Sequence, residues 1–170
     1  MNDLEYKPFA PSLPQGRARA LPFVTVIGAS LLTAVPAVAT VPLLPPFGLL
    51  MLLAWRLLAP FSLRPWAPAL LGLFDDLLSG QPLGSAALLW SLCFFAIALL
   101  ERRLPVHTFR QDWLIATCLV IVVLVVGRLL ASPFPAPLAL PVAAQAAVAV
   151  LLFPAAAALV GWIDRRRNYG

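Results

Sequence analysis

Residues 66–90 read WAPALLGLFDDLLSGQPLGSAALLW. Two apolar runs meet there at a polar turn, Ser79-Gly80-Gln81-Pro82, and two adjacent carboxylates, Asp75 and Asp76, stand inside the first run. Elsewhere the chain keeps its charges at the edges of apolar segments. Here two negative charges lie on the line that a membrane-crossing helix would take, and the fold has to accommodate them.

The 170 residues are 62% hydrophobic and 11% charged, with a mean hydropathy of +0.93. Soluble domains carry about 25% charged residues. This chain has too little polar surface to cover a globule in water, so lipid is the expected solvent for most of it. The net charge of +5 does not point to nucleic acid. Its arginines fall in small groups between apolar runs, with no basic stripe and no RNA- or zinc-binding motif. The positive-inside rule produces that distribution in a bacterial inner (cytoplasmic) membrane. Cys93 and Cys118 lie in apolar runs without a CxxC or histidine partner and read as buried small hydrophobes. His107, the single histidine, reads as a solvated loop residue. No GxSxG, Walker A, HExxH or glycine-rich dinucleotide pattern occurs. A non-enzymatic protein without cofactor or metal is the expectation.

Residues 1–20 are polar, proline-rich and basic, and read as a flexible cytoplasmic tail. Ala37-Val38-Ala39 resembles a signal-cleavage triplet. However, the apolar run that holds it is longer than the roughly 7–15 residues of a signal h-region, so it reads as a retained span. Six apolar segments follow one another: 21–41, 44–59, 66–78, 83–100, 113–131 and 138–163. Pro36 should kink the first or free a carbonyl for a neighbouring helix. Trp55 and Arg56 near the end of the second read as an interfacial anchor, with the arginine snorkelling to the headgroups. The tight turn at Pro42, Pro45 and Pro46 and the run Ser132–Pro137 separate helices. Residues 21–163 therefore form one membrane domain, and 164–170 a basic cytoplasmic tail.

The arginines set the topology. Arg17 and Arg19, Arg64, Arg102, Arg103 and Arg110, and Arg165–Arg167 occupy alternate connecting segments, and the intervening ones hold no lysine or arginine. The expectation is an all-α integral membrane protein with six transmembrane helices, multi-pass, with both termini cytoplasmic. The second and third segments are short for spans, and a tilted, broken or partly re-entrant course would suit them.

At 1.5 Å per residue, Asp75 lies about 14 Å along its helix from Trp66, and Arg128 about 22 Å along its own from Trp113. Gln145 reaches a comparable depth from the opposite face. A charge at mid-membrane costs about 2.5–3.5 kcal/mol on insertion scales, so a pairing of one aspartate with Arg128 is expected. The other would meet the Ser79–Gln81 turn, a water-filled pocket or another protein. A structural pair, a partner-binding surface and an ion or substrate pathway are all compatible with this cluster. Gly80 and Pro82 also read as ordinary helix punctuation, and Gly84 and Ser85 as residues that let helices approach closely.

The pattern Gly72-x-x-x-Asp76-Leu77-Leu78-Ser79-Gly80-Gln81-Pro82-Leu83-Gly84 resembles the hairpin motif of the rod-shape-determining MreD family, and the chain's size and six apolar segments match that family too. The resemblance implies a non-enzymatic component of the bacterial elongation (rod) complex that supports cell shape and lateral peptidoglycan synthesis. Its implied partners are an MreC-like bitopic protein, the elongation glycosyltransferase and transpeptidase, and, indirectly, an MreB-type filament. The implied fold is similar to the substrate-binding subunits of energy-coupling-factor transporters. A vitamin-type substrate-binding subunit is therefore the alternative reading, using the pocket around Asp75, Asp76, Arg128 and Gln145.

Overall fold

The computed structural model describes residues 15–34, 45–80, 82–103, 108–131 and 139–169. The expectations at Pro36, Pro42, Gln81, His107 and residues 132–138 lie outside them. Six α-helices follow in order among the described residues: α1 Gln15–Ala34, α2 Phe47–Leu58, α3 Ala67–Ser79, α4 Ser85–Arg103, α5 Phe109–Ala131 and α6 Ala139–Tyr169. The helical segments sit where the apolar runs do. Helix also extends past both expected tail boundaries, starting at Gln15 and continuing through Asp164-Arg165-Arg166.

Length separates these helices into two kinds. The stretches Ser85–Arg103, Phe109–Leu130 and Val142–Arg166 are long and apolar enough to cross a membrane. With 12 and 13 residues, α2 and α3 reach only about 18 and 20 Å, short of a hydrocarbon core about 30 Å thick. Among the described residues three helices are therefore of full length. The second and third segments, expected to be short for spans, are short here as α2 and α3, and burial explains α2. Every residue from Gly48 to Leu57 is buried, as expected of a helix that is apolar all round. Because α1, α4, α5 and α6 all pack on it, its ends need not match a bilayer. In contrast, α4 exposes Leu88, Leu92, Phe95 and Leu99 in one stripe at helical spacing, a surface suited to lipid.

Polar side chains join the helices at defined points. Pro154 stands inside α6 and has no N–H to give to Val150, four residues earlier. The indole Nε1 of Trp113 on α5 donates to that Val150 carbonyl at 3.1 Å. The device expected at Pro36 is thus found at Pro154. Trp55 is fully buried, and its Nε1 donates 2.8 Å to Thr25 Oγ1 on α1. Arg56 is only 7% exposed. It makes a two-pronged ion pair with Glu101 on α4, at 2.7 and 2.6 Å, beneath which the Phe94 ring lies 5.4 Å from the guanidinium carbon. The interfacial, snorkelling anchor expected at Trp55 and Arg56 is therefore replaced by core contacts, because each side chain finds a partner on another helix. Cys93 is buried as expected, whereas Cys118 is exposed; both are free thiols.

These contacts also order the ends of the bundle. The C-terminal part of α2 meets that of α4 through Arg56 and Glu101. It also meets α6 where Leu58 approaches Gly161, and Phe23 of α1 stacks on Trp66 just before α3, centroids 5.8 Å apart. The α3–α4 connection turns at the other end.

Candidate functional site: the α3–α4 hairpin

The site begins with Gly72, which is buried on α3. A methyl group there would sit 2.6 Å from both Cα and N of Ala87 on α4, so only glycine allows the two backbones to touch at this point. Asp76 follows one turn later on the same face, since residues four apart on a helix are neighbours. The close approach at Gly72 delivers its carboxylate to the first turn of α4.

That carboxylate is 1% exposed and takes four donors. Gly84 N–H donates to Oδ2 at 2.9 Å, Ser85 Oγ–H to Oδ1 at 3.0 Å, Ala86 N–H to Oδ1 at 2.9 Å and Ala87 N–H to Oδ2 at 3.4 Å. The first amides of a helix have no intrahelical partner, and a capping side chain ordinarily comes from the residue just before them. Here it comes from the preceding helix, across the turn, because Gly84 in the cap position has no side chain to offer. The positive end of the α4 dipole adds to the attraction for an anion. A buried negative charge and a set of unsatisfied amides thus satisfy each other without any cation.

The turn is shaped to make this possible. Gly80 ends α3 in the left-handed conformation (φ 66°), its N–H donating to the Asp76 carbonyl. Ser79 Oγ donates back to the Asp75 carbonyl at 2.8 Å. The Pro82 carbonyl accepts Ser85 N–H at 3.1 Å, and Gly84 adopts φ 93°, where a side chain would be strained. Gln81 lies outside the described residues.

Asp75 goes elsewhere. A methyl group at Gly48 of α2 would collide with Ser30 Oγ of α1 and lie 3.0 Å from Trp90 Cη2 of α4 and 3.3 Å from Asp75 Oδ1. Four helices therefore converge at one glycine, with Asp75 and the buried Ser30 beside it. Sequence reading missed Ser30, Gly48 and Trp90 here; the one signal was a lone glycine in an apolar run.

The arginine expected as a partner is not used. Arg128 does sit at the hairpin end of the bundle, since a methyl group on neighbouring Gly127 would lie 3.6 Å from Leu89, early in α4. However, α3 packs on α4 and α1, whereas α5 packs on α6, α4 and α2. Arg128 is exposed and lines a groove between α5 and α6. The expected pairing with an aspartate is corrected: α4's own amides and the Ser85 hydroxyl hold Asp76, and Arg56 rather than Arg128 makes a buried ion pair, with Glu101. Gln145 is half-buried on α6 and has its own polar contact.

A bundle of apolar helices, several long enough to cross a bilayer, with a buried carboxylate held inside one hairpin, defines a helical membrane protein. The chain belongs to the MreD family: the family model described as rod shape-determining protein MreD matches residues 18–162. The match takes in part or all of each of the six helices and the whole hairpin, and ties the chain to cell-shape determination. No curated protein and no solved structure matches it.

Proposed function

We propose that the protein is a non-enzymatic, multi-pass component of the bacterial inner membrane that holds elongation-complex proteins together and so supports lateral peptidoglycan synthesis. The family match over residues 18–162 carries this reading. The hairpin chemistry agrees with it: the Asp76 carboxylate is occupied by four donors, which makes it a fixed structural element rather than an acid or base. Both termini are assigned to the cytoplasm, with the arginine-bearing ends of α2, α4 and α6 on that side and the hairpin on the outer side. The bundle is read as sharing the fold of energy-coupling-factor substrate-binding subunits.

In this reading the outer tip, where Leu83 is 72% exposed, meets an MreC-like single-span protein, with the glycosyltransferase and transpeptidase held nearby. Depletion of the protein in rod-shaped cells should give round cells, and re-expression should restore rods. Unchanged cell width on depletion would contradict the role. A photo-crosslinker at Leu83 should capture a bitopic partner, whereas one at Val122, on the lipid-facing side of α5, should not. Equal capture from both would remove the hairpin tip as the contact.

A further inference from the structure

Between α5 and α6 runs an open groove of about 860 Å³ whose walls are almost wholly apolar. Ile121 and Val125 form part of the α5 wall, and Ala143, Ala146 and Ala147 on α6 give the groove its depth. Arg128 closes one end, in the last turn of α5. From Ile121 to Arg128 the groove runs about 10 Å along the helix axis. Among the described residues its lining holds no carboxylate. A guanidinium exposed at the mouth of an apolar channel in a membrane protein calls for an anion joined to something apolar.

We infer that this groove is a binding site for a single anionic phospholipid, its phosphate on Arg128 and an acyl chain along the α5–α6 groove. Arginine presents five N–H donors in a planar fork that matches phosphate oxygens in pairs. The start of α6 at Ala139 lies at the same end, and the positive end of its dipole favours negative charge. A packed partner helix fits less well, because it would have to bring its own carboxylate to the depth of Arg128. The inference concerns a different face from the hairpin and does not depend on the cell-shape role, whose failure would leave it intact.

Native mass spectrometry of the full chain in mild detergent tests it, with dioleoyl phosphatidylglycerol and dioleoyl phosphatidylcholine offered in equal amounts. One phosphatidylglycerol should be retained in preference to phosphatidylcholine. Arg128→Gln should lower that occupancy about fivefold, the effect of removing one arginine near an anionic lipid. Arg102→Gln, at the far end of α4, should leave it unchanged. Ala147→Trp should fill the groove and abolish retention without lowering the unfolding temperature, since residue 147 is exposed. Equal retention of the two lipids, an equal loss with Arg102→Gln, or retention unaffected by Arg128→Gln would overturn the site. A dimer of the chain that Ala147→Trp dissociates would assign the groove to a helix and overturn it as well.

Discussion

Two carboxylates are held by opposite strategies at the two ends of this bundle. Asp76 is neutralised by groups only 8 to 11 residues away, the open end of the next helix and a serine hydroxyl. Glu101 is neutralised by an arginine 45 residues away, across the packed α2–α4 contact. The first arrangement is complete once two adjacent helices form. The second depends on the finished bundle. A charge within an apolar sequence does not imply a countercharge, because the start of a helix can serve the same purpose.

The largest effect should come from Asp76→Ala. It strands three amides and a hydroxyl in a buried place, at about 1–3 kcal/mol for each group that water does not reach. A loss of about 4 kcal/mol in SDS-unfolding titrations is the expectation. Asp76→Asn, which keeps one good acceptor, should lose less. At the other end, Glu101→Ala leaves Arg56 buried without its partner and should cost about 3 kcal/mol, whereas the double change Arg56→Met with Glu101→Leu should fall within about 1 kcal/mol of wild type. If the double change is as damaging as the single one, the pair contributes more than mutual neutralisation.

Gly72→Ala separates close backbone approach from charge. Its methyl would meet Ala87 backbone atoms at 2.6 Å, and overpacking of this kind costs about 2 kcal/mol. Photo-crosslinks or distance labels across α3 and α4 should show the helices pushed apart. The smallest effect belongs to Trp113→Phe, which removes the donor to the carbonyl freed by Pro154 and should cost about 1 kcal/mol. Restoring the helix bond with Pro154→Ala should make the Trp113→Phe change milder still.

How much of this was legible in the sequence follows from the same contrast. The six helices follow from hydropathy and proline punctuation, and the hairpin's special residues stood out because they are close together in the chain. Arg56 read as an interfacial anchor because its position near a helix end fits that role, and nothing local announces Glu101 as its partner. Arg128 was placed at the right end of the bundle but paired with the wrong group, since helix rise gives depth while only packing gives the direction a side chain takes. Ser30, Gly48 and Trp90 converge from three helices, a coincidence of tertiary structure that no spacing rule reports. The shortness of α2 was visible, but its burial on all sides was not, because that follows from the other helices around it.

The central claim, that the amides and hydroxyl at the start of α4 hold Asp76 and Arg128 does not, is tested most directly by a pair of double-mutant cycles. Unfolding free energies would be measured for Asp76→Asn combined with Ser85→Ala, and for Asp76→Asn combined with Arg128→Gln. The structure predicts coupling of about 1 kcal/mol or more in the first cycle and additivity within about 0.5 kcal/mol in the second. Strong coupling to Arg128 together with additivity at Ser85 would contradict it.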